Sequence, residues 1–455
     1  MSRVVVIGAG MAAARLADGL ADHEVVLLGD EAHAPYNRIL LSAVLEGTHD
    51  TSALTLRLAD HVDLRRRTRV VEIHRGEREL ELADRSRLRY DELVLATGSI
   101  PTLPPIRGLV QIDGRLDARV HAFRGLDDCL RLDAAVPYAR RAVVVGGGLL
   151  GLQVARALSV RGLDTEVVEG GDHLLRTQVD AAAGAILKRD LQRLGTAVYT
   201  GARATRLTAD GLVLDNGYTL ETDLVVLTAG GRPSTALARR AGLEVRRGVV
   251  VDDQLRTSDP HVHAIGDCAQ HGGRVTGFVP PAWEQAGVLA RVLNGETATY
   301  DGSRTVARLR ATGLDVAVLG DPLEADGDVV EVSNPVAGSH RRLVVRDGVV
   351  VAATLVGDLS RVGLITQHFD RRTVLGPHEP GALLMPERTA PPPVLPDDAE
   401  VCACAGVSAG AVRACSSLDE ARDRTRATTG CGGCATTVRQ LLATRPVPTL
   451  EGTRA

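Results

Sequence analysis

Residues 142–151 read Ala142-Val143-Val144-Val145-Gly146-Gly147-Gly148-Leu149-Leu150-Gly151, and this stretch decides the fold. An apolar run of strand length passes straight into three glycines and then a helix-forming segment. Glycines at this point permit a tight turn and let a pyrophosphate approach backbone N–H groups at the start of a helix, where the helix dipole favours an anion. The strand that follows, residues 165–168, ends at Glu169. A carboxylate there suits a ribose 2′-hydroxyl and repels a 2′-phosphate, and no arginine occupies that end of the strand, so NADH is expected rather than NADPH. An ordinary solvated strand-end carboxylate is the plainer reading of Glu169.

The same pattern opens the chain. Residues 4–7 are Val-Val-Val-Ile, then come Gly8-Ala9-Gly10-Met11-Ala12-Ala13, a helical pattern over 12–20, and a second strand over 24–28 that ends near Asp30 and Glu31. Alone, a Gly-x-Gly-x-x-Ala is also what a plain strand-turn-helix looks like; two complete fingerprints in one chain are not easily accidental.

Composition narrows the function. The chain has 455 residues and a net charge of -4 on 53 basic and 57 acidic side chains, and its Arg-rich stretches are interleaved with Asp and Glu. No basic field is present to hold nucleic acid. Lys188 is the one lysine, a coding bias rather than a patch. Met1-Ser2-Arg3 runs directly into a strand with no apolar leader, and no apolar run reaches the roughly 18 to 20 residues that span a bilayer. A cytoplasmic protein with no membrane or nucleic-acid partner is expected, with its cysteines present as thiols or ligands.

Strands alternating with helices to about residue 300 predict an α/β fold with two Rossmann-like dinucleotide-binding domains. The expected division is 1–115 with 240–300 for the first fold and 116–239 for the second. Residues 301–385 carry short strand-like runs (316–319, 343–345, 349–355) between Asp-Gly turns, which predicts a small α+β domain. A stiff Pro-rich linker over 386–398 contains Pro386, Pro391, Pro392, Pro393 and Pro396. The remaining residues, 399–455, are too few for much of a core, so the clustered cysteines Cys402, Cys404, Cys431 and Cys434 are expected to hold a small C-terminal helical domain together through a metal centre.

Four further segments complete a resemblance. They are Leu93-Val94-Leu95-Ala96-Thr97-Gly98-Ser99, Thr228-Ala229-Gly230-Gly231-Arg232-Pro233, Val262-His263-Ala264-Ile265-Gly266-Asp267 and Pro35-Tyr36-Asn37-Arg38-Ile39-Leu40-Leu41-Ser42. With the fingerprints, they make residues 1 to about 300 resemble the two-dinucleotide-fold flavoprotein reductases, the class of ferredoxin and rubredoxin reductases. The resemblance implies FAD on Gly8, Gly10, Met11, Ala13, Asp30, Arg38, Ser42, Thr97, Gly98, Gly266, Asp267 and Trp283. It implies NADH on Gly146, Gly148, Leu149, Leu150, Gly151, Gln153, Glu169, Gly230, Gly231 and Arg232. Asp267 would hold the ribityl chain, a helix N-cap being the plainer alternative, and Trp283 would either touch the flavin or simply fill the core. Two positions depart from the family: Ala43 stands where relatives carry a lysine beside the flavin, and Gln153 where they carry a glutamate that orients the nicotinamide. Residues 32–50 contain no cysteine, which argues against reduction through a flavin-adjacent thiol unless Cys268 serves; as a small apolar residue beside Asp267, it is expected to pack.

At the C-terminal end, Cys402-Ala403-Cys404 and Gly430-Cys431-Gly432-Gly433-Cys434 supply four thiolates among glycines, a setting that suits an iron-sulfur cluster because backbone N–H groups can face the sulfurs. Zinc is the alternative, although structural zinc pairs usually leave two to four residues between ligands and Cys402-x-Cys404 leaves one. The segment resembles the bacterioferritin-associated ferredoxin-like 2Fe-2S domain, with a shorter interval between its cysteine pairs, and Cys415 is expected to be buried rather than a ligand.

Hydride transfer from nicotinamide to flavin needs positioning rather than a protein acid or base, so no separate catalytic residue is expected. The order of modules resembles the electron-transfer subunit of assimilatory nitrate reductase and the first half of the NADH-dependent nitrite reductase large subunit. This implies an electron-accepting partner protein, a molybdenum nitrate reductase subunit or a nitrite reductase. An NADH reductase of a free ferredoxin or rubredoxin, and a non-catalytic redox or iron sensor, are the competing readings.

Overall fold

The computed structural model describes residues 2–385, 395–430 and 432–443. The chain forms two units, residues 1–51 with 55–386, and residues 52–54 with 387–455. Cys431 and most of the Pro-rich linker lie outside the described residues.

The larger unit contains both expected nucleotide folds. In the first, five parallel strands lie in the order Val262–Ala264, Glu92–Leu95, Arg3–Ile7, Glu24–Leu28, Val62–Arg65. A parallel sheet is covered on both faces and so reads as an unbroken apolar run. Val4, Val5 and Val6 are accordingly all fully buried, each contributing roughly 1.5 to 3 kcal/mol of apolar burial. Helix Met11–Asp18 starts directly after the first glycine loop and ends at Gly19, where a Cβ would fall 2.7 Å from that of Ala290 in helix Val279–Leu293.

In the second fold the parallel order is Ala197–Thr200, Asp164–Glu169, Arg141–Val145, Leu224–Leu227, Val120–Ala122. The return segments of the two folds meet. Ser99–Pro101 pairs antiparallel with Gly231–Pro233, with Thr102 N–H donating to Gly230 O at 3.0 Å and Ser234 N–H to Gly98 O at 2.9 Å.

Beyond residue 300 lies an antiparallel sheet in the order Val306–Ala311, Leu314–Leu319, Val349–Val356, Ser339–Arg346, Asp328–Asn334. It includes the three runs expected there. The edge strand Asp328–Asn334 is exposed over most of its length and pairs with Ser339–Arg346.

This sheet is tied to the second nucleotide fold through Asp180. Its Oδ1 caps helix Ala181–Arg193 by accepting from Ala183 N–H at 2.9 Å. Its Oδ2 lies 3.2 Å from Nε2 of fully buried His340 and 3.1 Å from Arg342. The His340 ring beside it, with the capping N–H and Arg342, holds the Asp180 carboxyl below the usual carboxylate range despite burial. A depressed acid contributes stability that is complete above its unfolded value of about 3.9 and is lost as pH falls towards the folded one. Asp180→Ala is expected to cost about 2 to 4 kcal/mol, from the lost cap and two stranded partners, whereas Asp180→Asn keeps the cap and costs less. Denaturant titration of the two variants checks the order.

In the smaller unit, the pair Glu400–Cys402 and Val407–Ser408 precedes helices Ala409–Arg413, Leu418–Thr425 and Ala435–Ala443. Its core gathers Cys402, Val412, Cys415, Cys434, Val438 and Leu441. Among the described residues, no helix is long and apolar enough to cross a membrane.

Candidate nucleotide and cluster sites

The first glycine loop is built by close approach. Gly8 has φ +110°, and a Cβ on it would lie 2.2 Å from Ala96 O, so only glycine fits between the strand and its neighbour. Gly10 caps the helix, and nothing stands within 4 Å of where its Cβ would be. Helix N–H groups there face open space, as an anion requires. Met11 and Ala13 are buried on the first helical turn. Half-buried Trp283 donates its Nε1–H to Met11 O at 3.3 Å, so it stands against this loop.

Asp267 is not a helix cap here. Its Oδ2 accepts from Ser99 Oγ at 2.8 Å and pairs with the Arg124 guanidinium at 2.7 Å. Gly266 N–H donates to Oε1 of buried Gln285 at 2.7 Å, which fixes the turn presenting Asp267. Gln285 lies two residues after Trp283, in the segment whose likeness places it beside the flavin, whereas Arg124 stands in no motif and only the contact across 143 residues brings it to Asp267.

Beside them, Arg38 pairs with Glu31 and lies over the Tyr36 ring at 5.0 Å from its centroid. Tyr36 donates to Glu31 at 2.8 Å and accepts Leu126 N–H at 2.8 Å, and burial raises its phenol above the usual range. Ser42 is buried in helix Leu41–Glu46, with Ala43 next to it. Thr97 donates to Ser234 O at 2.8 Å, and Gly98 takes φ +64°. Asp30 is exposed, 3.9 Å from Arg69. By strand register Gly29, not Asp30, occupies the place that Glu169 takes in the second fold.

In the second fold, Glu169 turns onto its glycine loop. Oε2 accepts Gly147 N–H at 2.7 Å, and Oε1 accepts Gly171 N–H at 2.7 Å. This is not a merely solvated carboxylate. A Cβ on Gly151 would lie 1.9 Å from Gly146 O, so helix Leu149–Val160 packs directly on the loop. Gly148 caps that helix with open space beside it, Leu149 and Leu150 lie partly exposed on its first turn, and Gln153 is half-buried one turn in. Gly230, Gly231 and Arg232 are exposed on the return segment. The expectation that no arginine stands near this strand end is corrected: Arg176 Nε lies 3.5 Å from Glu169 Oε1, brought in by the loop that follows the strand.

At the smaller site, Cys402 and Cys434 share one core, and Cys404 is exposed. A Cβ on Gly430 would lie 2.9 Å from the Cys404 Cβ, so the two cysteine-bearing loops converge. Thr428 N–H donates to Cys434 Sγ at 3.2 Å, the donor that a cluster sulfur accepts. Cys402, Cys404 and Cys434 thus lie in one small unit on converging loops, and Cys431 lies outside the described residues. Cys415 is buried with its thiol turned to Ala411 O. Cys268 is buried, its thiol held by Leu95 O and Ile265 O at 3.3 Å each and pushed up by burial, so it packs rather than reacts.

Against known proteins, residues 2–286 match the family model for pyridine nucleotide-disulphide oxidoreductases, and residues 400–444 match that for the BFD-like [2Fe-2S] binding domain. The chain is 34% identical to a nitrite reductase [NAD(P)H] of Bacillus subtilis, over 97% of this chain and 57% of that protein. It is 31% identical to the assimilatory nitrate reductase electron transfer subunit of the same organism, over 97% of this chain and 59% of that one. It therefore spans less than two thirds of these relatives. Among solved structures, the ferredoxin reductase for the CYP199A2 system of Rhodopseudomonas palustris superposes with a TM-score of 0.74 at 28% identity, over 82% of this chain and 96% of that one.

Proposed function

The chain belongs to the pyridine nucleotide-disulphide oxidoreductase family and carries a BFD-like [2Fe-2S] binding domain, and from that premise we propose that it passes electrons from NADH through FAD to the cluster and on to a separate assimilatory nitrate or nitrite reductase subunit in the cytoplasm. The carrying observation is the convergence of cysteine-bearing loops in the smaller unit, set against a larger unit whose Cys268 is buried and locked. FAD supplies the conversion from a hydride to single electrons when bound.

The chain's own residues bind and orient. Gly8, Gly10 and the first turn of their helix receive the FAD pyrophosphate. Asp267, set by Gln285 and Arg124, receives the ribityl hydroxyls. Gly146 and Gly148 receive the NADH pyrophosphate, Gly151 lets their helix close on the loop, Glu169 receives the ribose, and Gln153 the nicotinamide end. The domain limits 1–115 with 240–300, 116–239, 301–385 and 399–455 go with this assignment. The name of the nitrate reductase electron transfer subunit supports a reductase as partner.

Purified anaerobically, the protein is expected to hold one FAD, with iron and acid-labile sulfide each near two per chain. Stoichiometric zinc without sulfide overturns the cluster. NADH-driven nitrate reduction reconstituted with a partner subunit tests the destination. The likeness to a ferredoxin reductase favours a free ferredoxin as the second acceptor to try.

A further inference from the structure

Where the sheet beyond residue 300 meets helix Ala181–Arg193, a buried imidazole faces two carboxylates. His340 is fully buried, and its Nδ1 lies 3.3 Å from Ser333 Oγ on the neighbouring strand. Its Nε2 stands 3.2 Å from Asp180 Oδ2, but that oxygen is off the ring's N–H direction, so Nε2 has no hydrogen-bond partner among the described residues. Glu331 Oε1 lies 3.9 Å from Nδ1. Asp180, Glu331 and His340 thus offer ligand atoms within 4.8 Å of one another. The guanidinium groups nearby do not complete the set. Arg342 Nη1 reaches Asp180 Oδ2 at 3.1 Å, Arg193 is turned to Asp190 at 3.5 Å, and Arg341, on the opposite face of its strand, pairs with Asp358. Two carboxylates against one guanidinium leave a negative charge beside a buried nitrogen that binds nothing.

A divalent cation accounts for both. Zinc bonds of about 2.0 to 2.2 Å in a tetrahedral array hold ligand atoms about 3.3 to 3.6 Å apart, close to the separation of Nε2 from Oδ2. A ligating histidine passes its other ring N–H to an oxygen, and Ser333 supplies one. An imidazole among the donors favours zinc over calcium or magnesium. We infer that Asp180, Glu331 and His340 form a zinc site, with water in the fourth position, that fastens the small sheet to the second nucleotide fold.

The full chain, purified anaerobically and freed of loose metal with a mild chelator, is titrated with Zn2+ by calorimetry, and zinc, iron and sulfide are then measured in the same sample. One zinc per chain beside an unchanged content of iron and sulfide is expected, with a rise in Tm when Zn2+ is added. His340→Gln and Glu331→Gln are each expected to lower the zinc affinity about 100-fold or more and to remove the rise in Tm, since loss of even an outer-shell partner commonly costs a metal site about 10- to 100-fold. Glu331 is exposed on an edge strand, so its variant decides the matter even if His340→Gln does not fold. No zinc uptake by the wild type overturns the inference and leaves His340 as a protonated neighbour of Asp180. Zinc held by Glu331→Gln at wild-type affinity overturns it too, because the metal then sits elsewhere, the cysteines included.

Discussion

Cys404→Ser is expected to spare flavin reduction by NADH and to abolish delivery to the partner reductase. Both glycine loops and Asp267 lie before residue 300, while the four cysteines lie beyond residue 400, so the substitution reaches only the second half of the path. Cys404 is the exposed thiol of the three described, and a serine hydroxyl in its place is a poor ligand for a soft metal centre. Removing even an outer-shell partner commonly costs a metal site about 10- to 100-fold, so loss of a ligand should lower partner reduction about 100-fold or more. Stopped-flow bleaching of the flavin should stay near wild type, as should reduction of a small dye that reaches the flavin directly. Partner reduction at the wild-type rate would mean that the C-terminal unit docks or stiffens and carries no electrons.

Glu169→Ala should lower kcat/KM for NADH by about 10- to 150-fold, from loss of hydrogen bonds to a charged group worth roughly 1.5 to 3 kcal/mol. The loss should appear in KM, since the ribose is bound alike before and during hydride transfer. Part of it comes through the loop, because Glu169 also anchors the N–H groups of Gly147 and Gly171. A wild-type preference for NADPH, measured before any mutation, would show that Glu169 does not set the choice.

The local features were legible in the sequence. Strand, glycine turn and helix are contiguous, and their spacing is imposed by the turn itself, so Gly8, Gly146 and Gly151 could be named from spacing alone. Glu169 was legible for the same reason, as the last residue of the next strand. Arg124 and Arg176 were not: the first reaches Asp267 from a distant segment and the second reaches Glu169 from the following loop, and an arginine in a chain whose positive charge is nearly all arginine carries no signal by type. The edge strand Asp328–Asn334 was missed because its alternation, Val330-Glu331-Val332-Ser333, is only four residues long and it pairs on one side alone.

The lacing of the two return segments has a further meaning for how this reductase can vary over time. The contacts between residues 98–102 and 230–234 are main-chain hydrogen bonds, indifferent to which side chains are attached. Ile100 and Thr102 can drift while the ladder holds, whereas Gly98 and Gly230, at φ +64° and +94°, and Ser99, which donates to Asp267, are held by more than the ladder. A one-residue insertion or deletion in either segment is different: it slips the ladder and displaces one cofactor relative to the other. Descendants of this chain should therefore differ in letters at positions such as Ile100 and Thr102, and hardly at all in the length of these crossovers.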